Sequence, residues 1–487
     1  MFERLIAYQA QHQPKGLAIA SAWDRFTYCE MADDIVRASA WVADLKLAWG
    51  ARVLIDVPHP YLHWVLTFGL ESAGVISAAS SPVRGVTDDL VALGAVALFA
   101  RNPPDNALGL PVYRIDQAWL NGLQSYSRTW AGDRLRRGED GFRIIMTSGT
   151  TGDAKKILLT RAMMDRRVAE TAVARIFAPG DGLRATTDIG VGSIAGLQLA
   201  FACWVRGGTL CSHDPRGTWA KTLKDLAING LMTSPYHLQV LLRELPEDFA
   251  PDDALIVVIA GGSLSKPLVA ECARRLTRQV FVTYGSTETG GVTLGHVNTL
   301  EGAEDSAGYI NPWAQVEVLD DQGVALPRGR IGELRIGGDQ LVAGYLDDAA
   351  GTAEFFKDGW FYPRDLGLVT EQGSMQVLGR VDDLMNFGGA KVVASRLETL
   401  VLRLPGILDA AAFAAPDEQG LDAPHVAYVC EAWFDSALLE AIFHDVLKRP
   451  PRLMRLDVVP RNAMGKIQRN TLRERVVEAA AMALNEG

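Results

Sequence analysis

The stretch "IIMTSGTTGDAKK", residues 144–156, joins an apolar run to four hydroxyl residues and two glycines and closes on paired lysines. An apolar run of this length reads as a buried strand, and a strand emptying into a Gly-rich turn is how α/β sheets present their ligand-binding edge. Backbone amides and hydroxyls in such a turn can wrap a polyanion, with Lys155 as a point charge. The Walker spacing GxxxxGK[ST] is absent, and a solvated loop is the alternative on composition.

Outward from this stretch the same grammar repeats. "MADDIVRASAWVADL" has helical apolar spacing, "ARVLIDVP" is a strand, and "YLHWVLTFGLESAGV" is a helix ending near Gly74. "LMTSPYHLQVLLREL", "ALIVVIAGGSL" and "RQVFVTYGSTE" continue the alternation. Repeated strand–turn–helix units predict parallel sheets covered by helices. After about residue 300, "VEVLDDQGVALPRGRIGELRIGG" predicts short antiparallel strands. A second shift at "VLGRVDDLMNFGGAKV" predicts a domain boundary near Arg380, separating residues 1–379 from 380–487.

Bulk properties bound the function. The 487 residues exceed one ordinary domain, and 48% hydrophobic with 22% charged residues is a globular composition. A net charge of −10 argues against nucleic acid or an anionic membrane as the main partner, so phosphate chemistry belongs in a pocket. Five cysteines, odd in number and without CxxC, suit reduced core thiols of a cytoplasmic protein. The start "MFERLIAYQAQHQPKG" lacks the apolar run of a signal peptide, and "LVALGAVALFA" (90–100) is shorter than the roughly 20 residues of a membrane span.

Four further pieces carry chemistry. "VTYGSTETGG" (282–291) sets Thr287 and Glu288 in a Gly-flanked turn, where one carboxylate beside phosphate suits Mg²⁺ and a helix cap is the alternative. In "DGWFYPRDLGLV" (358–369), Asp365 can accept both hydroxyls of a ribose or form an Asx turn. "GRVDDLMNFGGAKV" sets Arg380, Asp382 and Asp383 before Gly388-Gly389, as hinge or site. "PRNAMGKIQR" holds Lys466 in a polar loop, where an isolated lysine is otherwise a solubilising charge.

Their order and spacing together resemble the adenylate-forming superfamily of acyl- and aryl-CoA synthetases, luciferases and peptide-synthetase adenylation domains. "TSGTTGDAKK" is similar to its TSGTTGxPKG loop, "TYGSTE" to GYGxTE, "GELRIGG…AGYL" to GEL…GY and "GWFYPRDLG" to GWxxTGDxG. "GRVDDLMNFGGAKV" resembles the hinge motif and "NAMGKIQR" the PxxxxGKxxR motif, so the likeness spans nearly the whole chain.

The resemblance implies a large amino-terminal α/β domain of two helix-covered sheets plus a small β-barrel, and a small mobile carboxyl-terminal α/β domain. It implies a ligase that uses ATP and Mg²⁺ to turn a small or medium carboxylic acid, aromatic ones included, into an acyl-adenylate and passes it to CoA. A carrier protein's phosphopantetheine is the alternative acceptor; a non-catalytic nucleotide binder and a luciferase-like oxidase are more distant ones. Lys466 would stabilise the reacting carboxylate and α-phosphate. Thr147, Ser148, Gly149, Thr150, Thr151, Gly152 and Lys155 would hold the leaving phosphates. Glu288 would bind Mg²⁺, Thr287 the α-phosphate, Asp365 the ribose with Arg380 beside it, and Tyr284 would stack on adenine within Thr283, Gly285 and Ser286, bordered by Gly262 and Ser263. Asp382 maps to the hinge, Gly388, Gly389 and Lys391 to the thiol passage, and Gly192, Ser193, Ile194, Gly261 and Gly290 to the acid pocket. The chain departs from the family pattern at Ala154 (usually Pro), Lys156 (Gly), Arg364 (Gly) and Val191-Gly192 (an aromatic–His pair). Asp188 is out of register with the aspartate that holds an α-amino group, which disfavours an amino acid substrate.

Overall fold

The computed structural model describes residues 3–81, 84–129, 138–147, 155–174, 182–190, 192–262, 264–300, 306–387, 390–416, 422–446, 451–462 and 465–485. Ser148, Gly149, Thr150, Thr151, Gly152, Val191, Ser263, Gly388 and Gly389 lie outside them.

Thr27 and Glu30 cap the helix Tyr28–Asp44 reciprocally, each side chain taking the other's backbone amide, so the "TYCE" sequence sets where this helix starts. The next helix, Pro60–Ser72, is buried along almost its whole length, its His63 and Thr67 meeting the buried Arg143. It meets the more apolar helix Ile194–Val205, with Trp64 and Trp204 rings 5.1 Å apart and perpendicular. Apolar residues of two sheets close around these helices in one core.

The first sheet runs Val112–Arg114, Ala97–Ala100, Arg52–Asp56, Ile76–Ala79, Gly141–Thr147 and Lys155–Thr160. Its first five strands are parallel and the last turns back antiparallel. The second sheet aligns Leu17–Ala20, Thr209–Cys211, Arg184–Thr187, Gly230–Thr233, Ile256–Ile259 and Val280–Val282 in parallel. Thr293–His296 then pairs antiparallel with Val280–Val282, and the antiparallel strands of the 306–380 region continue from it. The strands expected as a small barrel join the parallel sheet through this pairing, giving 15 strands, 14 of them along one hydrogen-bonded path and Ala314–Leu319 branching off it on Gly332–Gly338.

The run Leu90–Ala100 divides at Gly94, whose φ of +62° ends the helix Val86–Leu93 before the strand Ala97–Ala100. Among the described residues, no helix is long and apolar enough to cross a membrane. Cys203, Cys211 and Cys272 are buried free thiols. Burial pushes Cys211 up to about 11 and Cys272 up to about 12, leaving both protonated and inert.

Beyond the short turn Val381–Asp383 the chain builds a separate core. Ile407–Pro416 and Asp422–Cys430 pair antiparallel, with Arg452–Arg455 parallel beside them. The apolar clusters here draw only on residues 385–476, while those of the two large sheets draw on residues before 380.

Candidate active site

Four neighbouring parallel strands of the second sheet end side by side, which brings Asp188, Ser234, Gly261 and Thr283 to one edge. The first sheet approaches the same region. A Cβ added to Gly192, after the strand Arg184–Thr187, would stand 2.8 Å from Cβ of Ala79, at the end of a first-sheet strand. Gly262 also lies close to its neighbour, with an added Cβ 3.3 Å from Pro235. Ser193 caps the helix that begins at Ile194, accepting from the amide of Gly196 at 3.0 Å.

"TYGSTETGG" folds as a tight hairpin rather than a helix start. Gly285 pairs with Gly291 and Ser286 with Gly290, leaving Thr287, Glu288 and Thr289 at the turn. Ser286 and Thr289 bridge its base through hydroxyl–amide bonds of 3.1 and 3.3 Å. The buried Arg167 donates to the carbonyls of Thr287 and Gln340, both at 3.0 Å. The glycines are sterically required: a Cβ on Gly285 would lie 2.1 Å from the Gly290 carbonyl, and Gly290 has φ +66°. Gly285→Ala is expected to lose about 1–3 kcal/mol of stability by forcing this hairpin open. Thermal unfolding measures the loss, and activity should fall with it because Glu288 is displaced.

Glu288 is 8% exposed, and the hydroxyl of Tyr345 donates to its Oε1 at 3.0 Å. Burial and the carboxylate together push the Tyr345 phenol far above its usual range, so it remains a donor. Among the described residues no group of three or more His, Cys, Asp or Glu could hold a metal by itself. One buried carboxylate with a second oxygen to spare fits Mg²⁺, which takes few protein ligands and completes its shell with phosphate and water.

The lysines that close the opening stretch separate by strand alternation. Thr147 pairs with Lys155, so the strands Gly141–Thr147 and Lys155–Thr160 anchor both ends of the stretch 148–154. Lys155 Nζ lies 3.4 Å from the Phe355 ring centre and 4.7 Å from that of Tyr345. Burial pushes its pKa down, opposed by the charges of Glu288, Glu354 and Asp348. Lys156 instead donates to the Ala92 carbonyl at 2.9 Å and to Asp347 at 3.1 Å, where Arg52 also binds. A lysine in the usual glycine position thus works as a structural tie.

Asp365 opens the strand Asp365–Val369, directly opposite Arg380 in register, and is not in an Asx turn. That register brings the Arg380 guanidinium to 3.8 Å from its carboxylate. The Tyr284 hydroxyl donates to Asp365 Oδ2 at 2.6 Å. Burial pushes the Asp365 carboxyl up, and the Tyr284 bond with the charges of Arg380 and Lys466 pulls it back.

Lys466 lies in a hairpin closed by an Arg461–Ile467 bridge and by a 2.9 Å bond from the Asn462 amide to the Lys466 carbonyl. Gly465 (φ +75°) packs on the start of the helix Pro235–Glu244, an added Cβ lying 3.1 Å from Ser234 Oγ and from Tyr236. Arg461 bonds both Asp409 oxygens and stacks 4.8 Å over the Tyr236 ring. Together these contacts set the exposed Lys466 beside the large domain, with its charge felt at Asp365. Lys391 sits on the strand Ala390–Val393, paired in register with Asn386, on the far side of the Val381–Asp383 turn. Asp188 has its own partners: the Thr233 hydroxyl at 2.5 Å and the His237 ring 3.7 Å away. Sequence reasoning missed Arg167 and the Tyr345–Glu288 bond, although Tyr345 lies in the quoted "AGYL".

This combination of a parallel sheet edge, a glycine hairpin with one carboxylate, a paired Asp–Arg and a lysine carried by a second unit is the architecture of adenylate-forming enzymes. The chain belongs to the AMP-binding enzyme family, whose sequence model matches residues 6–346. It is 26% identical to a 4-chlorobenzoate–CoA ligase of Arthrobacter over 96% of this chain and 94% of that protein. It is 24% identical to a medium/long-chain-fatty-acid–acyl-carrier-protein ligase of Mycobacterium tuberculosis over 95% and 93% of the two chains. The fold matches the ATP-bound crystal structure of MatB from Rhodopseudomonas palustris with a TM-score of 0.84 at 23% identity, covering 98% of this chain and 99% of that one.

Proposed function

We propose that this enzyme joins a small or medium carboxylic acid, aromatic acids included, to AMP and then to the thiol of CoA. In the first step a carboxylate oxygen bonds to the α-phosphorus of ATP and the bond to the β-phosphate breaks, releasing pyrophosphate. In the second the thiol, having lost its proton, attacks the acyl carbon and AMP leaves. The observation that carries this reading is the convergence of Lys466, Asp365–Arg380–Tyr284 and Glu288 from three separate segments on one sheet edge.

The chemistry suits the residues. An anionic acid approaching a polyphosphate is repelled, so a mobile cation at the reacting atoms lowers the barrier most. Lys466 supplies it. Asp365, with one oxygen bonded to Tyr284, is placed for the ribose hydroxyls, and Tyr284 borders the adenine position. Lys155 and the turn after Thr147 hold the leaving phosphates. Glu288 would hold Mg²⁺, which neutralises phosphate charge when bound. Residues 1–379 form the nucleotide domain and 380–487 a lid turning about Asp382, since Lys466 must withdraw before a thiol enters past Lys391. Gly192, Ser193, Ile194, Gly261 and Gly290 border the acid.

The Arthrobacter relative supports an aryl or acyl acid with CoA as acceptor. The Mycobacterium relative favours a second reading, in which a carrier-protein phosphopantetheine takes the acyl group. A panel of benzoates and C4–C12 acids, read as acid-dependent pyrophosphate release, tests the first step. Thioester formation with free CoA against a holo carrier protein separates the acceptors. Failure of every acid to stimulate pyrophosphate release overturns the proposal.

A further inference from the structure

Arg364 is a non-glycine residue held at φ +60°, in the left-handed region that a side chain makes costly. Its backbone is needed there, because its carbonyl accepts the Val381 amide at 2.8 Å. Glycine would satisfy that geometry without strain, so the side chain has to account for the arginine.

From the position just before the strand Asp365–Val369, the guanidinium reaches the turn Val381–Asp383. Nε lies 3.1 Å and Nη2 3.0 Å from Asp382 Oδ1, while Nη1 approaches Glu354 at 3.8 Å. Arg380 reaches the other Asp382 oxygen at 3.5 Å. Asp382 is therefore held between Arg364 of the large unit and its near neighbour Arg380, in the turn that leads to the second core. The units also touch at Ser395, whose hydroxyl donates to the Leu378 carbonyl at 2.6 Å, and at Arg243, which donates to the Leu408 carbonyl at 2.8 Å. Those are neutral-acceptor contacts beside an ionic one.

We propose that Arg364 is a positioning residue that latches the connecting turn through Asp382, holding the lid in the orientation that presents Lys466 and slowing its departure for the thiol step. This rests on the two-step reading above. Any rotation at Val381–Asp383 must move Asp382 relative to Arg364, which is fixed on the strand side. The pair is partly exposed, at 38% and 44%, so it biases the orientation modestly and screens with salt.

The test uses the full-length enzyme with Arg364→Gly and Arg364→Lys. Glycine suits φ +60°, so the first variant should melt no lower than wild type. With the best acid of the panel, its ATP–pyrophosphate exchange should stay within about twofold. Single-turnover transfer from preformed adenylate to CoA should run about two- to fivefold faster. Raising ionic strength from about 20 to 300 mM should accelerate transfer more in wild type than in Arg364→Gly, which keeps only the longer Arg380–Asp382 pair. Arg364→Lys, keeping the charge without the fork, should fall between them. Equal salt responses in wild type and Arg364→Gly overturn the latch.

A readout without any acid keeps the two proposals separable. Amide hydrogen exchange over residues 381–387 in the free enzyme should be faster in Arg364→Gly at low salt and equal at high salt. If no acid supports pyrophosphate release but this difference holds, the two-step reading fails and the tether stands. If exchange there matches wild type at low salt, the tether itself is absent.

Discussion

Lys466→Ala is expected to lower acid-dependent ATP–pyrophosphate exchange by about 10²- to 10³-fold, the effect of deleting one preorganised charge at a reacting phosphate. The lysine is exposed, and its hairpin is held by Arg461, Asp409, Asn462 and Gly465 rather than by its own amine. The variant should therefore fold and melt as wild type does. Its defect should be confined to one step. Transfer of a supplied acyl-adenylate to CoA should stay within a few-fold of wild type, because that step needs the lysine to have withdrawn. Binding of ATP should weaken only slightly, since Asp365, Tyr284, Arg380 and Lys155 remain. Measuring both half-reactions on one preparation decides the matter. Exchange retained above about one tenth of wild type would remove Lys466 from the chemistry.

The signals that made the site legible were local. A strand followed by a Gly-rich turn reports a sheet edge, and the hairpin Gly285–Gly291, the register neighbour pair Asp365–Arg380 and the Lys466 loop each came from short, spaced motifs. The alternation of units likewise predicted parallel sheets, which both large sheets contain. The missing information was side-chain reach across long sequence separations. Arg167 supports Thr287 from 120 residues away, and Tyr345 meets Glu288 across 57. No periodicity encodes such pairs. The lysine at position 156 stood out only as a departure from the usual glycine, and strand alternation carries it away from Lys155 to Asp347, a partner 191 residues on. Arg364 shows the reverse case. Its departure from glycine was visible in the sequence, whereas the partner that explains it, Asp382, became apparent only from the register that lays Asp365 against Arg380. The continuous path of strands was hidden for a similar reason, since one antiparallel pairing, Thr293–His296 on Val280–Val282, decides it.

Glu288→Gln should raise the Mg²⁺ concentration needed for half-maximal pyrophosphate release by about tenfold or more and lower the saturated rate by about 10²-fold. Glutamine keeps the volume of a side chain that is 8% exposed, and its amide oxygen can still accept from Tyr345, so the hairpin stays closed. What disappears is the negative charge. Two consequences separate this from simple loss of packing. Nucleotide binding measured without Mg²⁺ should hold or tighten, because a carboxylate facing phosphate is gone. The second concerns Lys155, whose proton affinity is reduced by burial and restored in part by Glu288. Removing the carboxylate takes away a group that raises the Lys155 pKa, so the lysine loses its proton at lower pH. The alkaline limb of the rate profile should accordingly move toward neutrality in Glu288→Gln, while Tyr345→Phe, which keeps the charge, leaves that limb much nearer to wild type. An unchanged Mg²⁺ requirement in Glu288→Gln would show that the carboxylate serves only to anchor Tyr345, and the phosphates would then have to be neutralised by lysine and arginine alone.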